Sequence, residues 1–125
     1  MEIEYLHSDL TNKILRAYYS VYNELGYGFL ESVYHNSMMI ELKKLGLKCE
    51  KEKKIEVYYD GILVGNYIAD IIVEDKVILE LKAVSKLNPQ HEVQLINYLK
   101  ATGIKVGLLL NFGKKPQQRR KTWLK

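Results

Sequence analysis

Tyr67-Ile-Ala-Asp-Ile-Ile-Val-Glu-Asp-Lys-Val-Ile-Leu-Glu-Leu-Lys-Ala-Val84 is the stretch on which the fold turns. Two runs rich in β-branched residues, 62–73 and 77–84, flank the polar Glu74-Asp75-Lys76, the pattern of two strands joined by a tight turn. Each run carries charge where an apolar strand should have none: Asp70 in the first, Glu80 and Lys82 in the second. A carboxylate buried without partners costs several kcal/mol, so such groups are usually paired or bound to a metal. Residues two apart on a strand share a face, so Glu80 and Lys82 project together, as they also would on a solvated edge strand. Register separates the possibilities. A two-residue loop at Asp75-Lys76 sets Asp70 and Glu80 on opposite faces. A three-residue loop at 74–76, or a bulge, sets Asp70 opposite Glu80 on one face. Two carboxylates so placed repel unless a cation lies between them, and oxygen-only ligation suits Mg²⁺ or Mn²⁺.

Outward from this hairpin, Ile55, Val57 and Tyr59 alternate with polar or half-polar neighbours, and Asp60-Gly61 is a strong turn signal, so three strands form an antiparallel meander. Upstream, Leu10, Ile14, Ala17, Tyr18, Val21 and Leu25 recur at helical spacing, with Ser8 or Asp9 available as N-cap. Gly26-Tyr27-Gly28 breaks that helix, and Leu30, Val33, Tyr34, Met38, Leu42 and Leu45 define a second one ended by Gly46. Downstream, Asn88-Pro89 reads as N-cap and first helical position of a helix stopped by Gly103. Val106–Leu110 then reads as a strand buried on both faces by a βαβ crossover. The expected order is ααβββαβ, an α/β fold with a mixed four-stranded sheet flanked by helices. Residues 112–125 contain Pro116 and two glutamines among cations, and read equally as a frayed tail or a docked one.

The chain has 125 residues with 47% apolar and 27% charged side chains, which suits one domain over 1–125. Its one cysteine, Cys49, excludes an internal disulfide framework and a zinc-finger cluster, and with no signal-peptide or membrane-span pattern the expectation is a soluble, cytoplasmic protein. All 15 acidic residues lie at or before Glu92, whereas residues 93–125 carry eight Lys/Arg and no acid. A basic block that includes Lys114, Lys115, Arg119 and Arg120 suits a polyanion, although basic tails also serve solubility.

Asp70 followed by Glu80-Leu81-Lys82 resembles the active-site motif of the PD-(D/E)XK nuclease superfamily, which includes restriction endonucleases and Holliday junction resolvases. Gly28-Phe-Leu-Glu31-Ser-Val-Tyr34 is similar to the GxxExxY signature of a family of small prokaryotic proteins placed in that superfamily. Ala69 stands where the superfamily motif has proline. The resemblance continues through Gln94-Leu-Ile-Asn-Tyr98 and Gly107-Leu-Leu-Leu-Asn-Phe-Gly113, and it implies a restriction-endonuclease-like core.

The resemblance implies further that Asp70 and Glu80 bind Mg²⁺ or Mn²⁺, with the Leu81 carbonyl as third ligand and Glu31 as the helix-borne acid near the metal. Lys82 would orient or deprotonate the attacking water, or neutralise transition-state charge. Gln94 and Tyr98 match polar positions on the helix after the motif; Glu31/Tyr34 and Gln94/Tyr98 each share a helix face. Tyr34, Tyr98, His91, Lys86 and the basic block (Lys114, Lys115, Arg119, Arg120) are the candidate substrate contacts. The expected activity is metal-dependent hydrolysis of nucleic acid, DNA in the first instance, directed by structure or ends, leaving a 5′-phosphate, with a homodimer as in the resolvases. The competing expectation is a nucleic-acid- or partner-binding module that keeps the fold without hydrolysis.

Overall fold

The computed structural model describes residues 5–124. Helices α1 (Ser8–Leu25) and α2 (Glu31–Lys44) precede β1 (Cys49–Tyr59), β2 (Ile62–Val73) and β3 (Val77–Lys82); α3 (Pro89–Thr102), β4 (Val106–Phe112) and β5 (Pro116–Thr122) follow. The strands form one sheet in the order β1-β2-β3-β4-β5, antiparallel except for the parallel β3–β4 pair that α3 connects. The helices are those expected, but the first N-cap is His7, not Ser8 or Asp9, and makes no side-chain cap bond. Among the described residues, no helix is long and apolar enough to cross a membrane.

The sheet separates two cores. On one face α1 and α2 bury Ile14, Tyr18, Tyr34, Met38 and Leu42 against Ile71, Leu79, Leu81, Leu108, Leu110 and Phe112. On the other, α3 buries Leu95, Tyr98 and Leu99 against Ile55, Ala69, Ile72, Ile78 and Leu109. Covered on both faces, β4 has no exposed residue, hence its nearly unbroken apolar run. Gly107 lets α3 approach closely, since a Cβ there would stand 2.7 Å from Leu95 Cδ1.

The sheet has five strands rather than four, and the C-terminal segment is docked. Pro116-Gln-Gln-Arg-Arg-Lys-Thr122 lacks the apolar alternation of a strand, and Pro116 opens it at the edge, where a missing N–H is tolerated. Long-range bonds hold it. The Tyr18 hydroxyl donates to the Asn111 carbonyl and accepts the Gln117 N–H at 3.1 Å. The Tyr22 hydroxyl lies within bonding distance of the Gly113 and Lys114 carbonyls, at 2.6 and 2.8 Å. Two of the ten tyrosines thus fasten the edge strand from α1. β3 also ends at Lys82, two residues before the expected Val84. Buried Asn111 accounts for this, because its amide accepts the Val84 N–H at 3.0 Å and donates to the Val84 carbonyl at 2.9 Å, drawing the chain off the ladder.

Candidate active site

The loop joining β2 to β3 has three residues: Val73 pairs with Val77, and Glu74 and Asp75 both adopt positive φ. This register brings Asp70 level with Glu80, while the ligand atoms that lie within 4.8 Å of one another are those of Glu31, His35 and Asp70, without Glu80. Backbone pairing of the two strands stops at Ile71↔Leu79. Beyond it the carboxylates take over: Glu80 Oε2 accepts the Asp70 N–H at 2.9 Å, and Asp70 Oδ2 accepts the Leu81 N–H at 2.7 Å. Each acid is therefore held by the strand of the other.

Asp70 also sits at a fault in β2. Ile71 and Val73 pack toward α1 and α2, but Ala69 packs with Ile72 toward α3, so the strict two-residue alternation fails between 69 and 71. Glu52, which would face this point from β1, has φ of 53° and drops out of a ladder that pairs Lys51 with Ile71 and Lys53 with Ala69. Such irregularities re-aim side chains beside functional sites.

From α2, Glu31 and His35 reach the same place. Their spacing of four puts both on one helix face. His35 Nε2 lies 3.5 Å from Asp70 Oδ2 and 3.6 Å from Glu31 Oε1, and the ligand atoms of all three residues fall within 4.8 Å of one another. That nitrogen is buried and has no hydrogen-bond partner among the described residues. A polar atom so placed beside two carboxylate oxygens fits a divalent cation, and it makes the donor set mixed nitrogen and oxygen rather than oxygen alone. His35 was not among the residues singled out from sequence, although Glu31-x-x-x-His35 at one-turn spacing was a readable signal.

Burial dominates the electrostatics of the two acids. Glu80, only 4% exposed, has its carboxyl pushed up to about 8, by burial first and by the Asp70 charge second. Burial likewise raises Asp70, against the opposing pull of the Leu81 N–H and of His35. The Lys82 charge favours both carboxylates and disfavours protonated His91. The Tyr98 phenol is pushed up to about 12 by burial and by the charges of Glu80 and Asp70.

The remaining candidates divide by position. Gln94 is half-buried on α3 and lines, with Tyr98, a groove between that helix and the β1–β2 ribbon. His91 uses Nδ1 to accept the Asn88 N–H at 3.2 Å in the capping box that starts α3. Exposed Lys86 lies in the loop after β3, and exposed Lys114 and Lys115 in the β4–β5 turn. Lys82 pairs with Asn111 across parallel strands, so these three lysines follow strand ends on the Lys82 side of the sheet. Arg119 is exposed on the edge strand.

Two expectations are corrected. Tyr34 is fully buried, stacked on Phe112 with centroids 4.1 Å apart, and its hydroxyl donates to the Gly26 carbonyl at 2.7 Å and accepts the Phe29 N–H at 3.3 Å. It shapes the α1–α2 loop that presents Glu31 and does not face a substrate. Arg120 bonds the Leu6 carbonyl at 2.7 Å and Thr11 Oγ1 at 3.4 Å, tying β5 to the start of α1 instead of offering its guanidinium to a phosphate.

The comparisons with known proteins bear on this arrangement. No curated protein matches the sequence. A solved structure described as the crystal structure of SSO0001 superposes with a TM-score of 0.59 at 20% identity, over 73% of this chain and 48% of that one, a likeness of fold. This chain thus spans about half the length of that protein. The model of the PD-(D/E)XK nuclease superfamily matches residues 8–122, from the start of α1 to the end of β5 and across every acid described above. That match covers nearly the whole chain, and the chain belongs to the PD-(D/E)XK nuclease superfamily.

Proposed function

We propose that this chain, with residues 1–125 acting as one unit of the GxxExxY branch, is a metal-dependent phosphodiesterase that cleaves nucleic acid in the cytoplasm, DNA in the first instance. The observation that carries the reading is the Asp70/Glu80 pair, each held by the strand of the other where β2 and β3 part, with Lys82 two residues beyond Glu80 on β3 and His35 Nε2 unsatisfied 3.5 Å from Asp70 Oδ2. Asp70, Glu31 and His35 would hold the cation, with Glu80 and the Leu81 carbonyl completing the set; an imidazole nitrogen among oxygens favours Mn²⁺ over Mg²⁺. A bound divalent cation supplies Lewis acidity toward the phosphodiester and a more acidic water.

The chain supplies the rest. Lys82 carries a fixed positive charge beside the acids, suited to orient the attacking water or to offset charge that builds on the phosphoryl oxygens. Gln94 lines the approach along α3 and can hydrogen-bond a nucleotide next to the scissile bond. Lys86, Lys114, Lys115 and Arg119 offer phosphate contacts that do not depend on sequence. A homodimer would use exposed apolar side chains of the β1–β2 ribbon such as Tyr59 and Ile62, which pair across its end.

The test is cleavage of branched, nicked, single-stranded and duplex DNA with Mn²⁺ or Mg²⁺ against EDTA. Lys82→Ala should lower single-turnover cleavage by about 10²-fold or more with nucleic-acid and metal binding little changed, whereas Asp70→Ala should lose metal binding and cleavage together. Equal cleavage by wild type and Lys82→Ala would refute the assignment. Wild-type protein that binds nucleic acid but cleaves none of these substrates would instead establish a binding module.

A further inference from the structure

A groove of about 730 Å³ lies between α3 and the β1–β2 ribbon, a volume in the range of ligand sites. Its walls carry Tyr58, Val64 and Tyr67 from the ribbon and Gln90, Gln94 and Asn97 from α3. Only Glu56 and Lys100 bring charge to it. Tyr58 and Tyr67 are 57% and 49% exposed. Tyr67 leans on the Tyr98 ring, with centroids 5.7 Å apart. Tyr98 itself lines the groove, together with Gln94, the other α3 residue of the candidate active site. Gly65 keeps the ribbon wall thin, since a Cβ there would meet Tyr67 Cε2 at 3.2 Å.

We infer that this groove takes unpaired bases of a single-stranded nucleic-acid segment, with base faces on Tyr67 and Tyr58 and base edges on the carboxamides of Gln90, Gln94 and Asn97. The inference rests on the nuclease reading and specifies its substrate. The reasoning is chemical complementarity. A duplex shows a protein its phosphates and groove edges, which a nearly neutral aromatic groove does not match; exposed rings and amides match base faces and edges available only in an unpaired strand. The phosphates of that strand would lie toward Lys82 and the lysines that follow the strand ends, with the scissile bond at Asp70 and Glu80. The substrate class is then a flap, overhang, gap or free single strand, in preference to an intact duplex.

The experiment measures equilibrium binding in EDTA, where nothing is cut, of a fluorescent oligothymidylate of about 12 nucleotides and of a blunt duplex of the same length. Tyr67→Ala should weaken oligothymidylate binding by about 5- to 100-fold and leave duplex binding unchanged, Tyr67→Phe should restore it, and Tyr58→Ala should show a smaller loss of the same kind. Tyr67 is half exposed, and circular dichroism of each variant verifies its fold. Equal oligothymidylate binding by wild type and Tyr67→Ala overturns the inference, as does equal weakening for both probes. So does sedimentation showing a dimer that Tyr67→Ala dissociates while oligothymidylate binding persists, because the groove then receives a second copy. Metal-dependent cleavage by the wild type, assayed separately, distinguishes the two readings: cleavage without Tyr67-dependent strand binding removes the groove assignment alone, and strand binding without cleavage removes the nuclease assignment alone.

Discussion

Folding carries the Glu80 carboxyl from water, where it titrates at 4.5, into a site where burial and the neighbouring Asp70 push it up to about 8. Without metal, the folded chain therefore binds this proton more tightly than the unfolded chain does. Between these two values the folded state holds more protons, so its stability must fall as pH rises. One extra proton corresponds to a slope of about 1.4 kcal/mol per pH unit, and across the window the loss approaches about 4–5 kcal/mol, a large part of the 5–15 kcal/mol typical of a domain. Glu80→Gln stays neutral throughout and keeps an oxygen to accept the Asp70 N–H, so it should remove most of this slope. Asp70, raised in the same direction, leaves a smaller residual one. Asp70→Asn should also reduce the slope, because the Asp70 charge is the second cause of the Glu80 shift. Saturating Mn²⁺ should flatten the wild-type curve by compensating the ionised pair, with proton release on binding. Urea denaturation in EDTA at several values between about pH 5 and pH 8 measures all of this. Parallel pH profiles for wild type and Glu80→Gln would refute the reasoning, since Glu80 would then not be carrying the buried proton.

Two further outcomes follow from the site and its surroundings. Mn²⁺ should bind more tightly than Mg²⁺ in calorimetric titration, and His35→Ala should weaken Mn²⁺ by about tenfold or more while changing Mg²⁺ less; equal losses for both ions would show that the imidazole is not a ligand. Deleting the C-terminal segment would remove β5 from the sheet, so its electrostatics are better tested by Lys114→Gln with Lys115→Gln, which should lower the salt-dependence slope of duplex binding by up to about two, against an unchanged slope if the turn lies outside the interface.

Periodicity and composition were sufficient for the three helices, for the β1–β2–β3 meander and for the buried β4, because each of these elements shows its burial directly in the spacing of its apolar residues. Asp70, Glu80 and Lys82 were legible for the opposite reason, as charges that interrupt apolar strands, and the three polar residues 74–76 allowed the register that the structure adopts. The fifth strand was not legible. Nothing apolar marks 116–122, and its place depends on backbone pairing with β4 and on hydroxyls of Tyr18 and Tyr22 nearly a hundred positions away in sequence. Tertiary structure also decided which functional-looking side chains face the site. Tyr34 and Arg120 had suitable chemistry for substrate contact, but a stacked partner in Phe112 and backbone carbonyls in Gly26 and Leu6 claimed them. His35 went the other way. Its spacing from Glu31 names only a helix face, and whether that face meets a carboxylate is determined by how α2 packs on the sheet and by the fault in β2 that turns Asp70 toward it. Local patterns fix which residues share a face, because chain geometry repeats every two or 3.6 residues. Which faces then meet is settled by packing between elements distant in sequence, and that meeting makes the site.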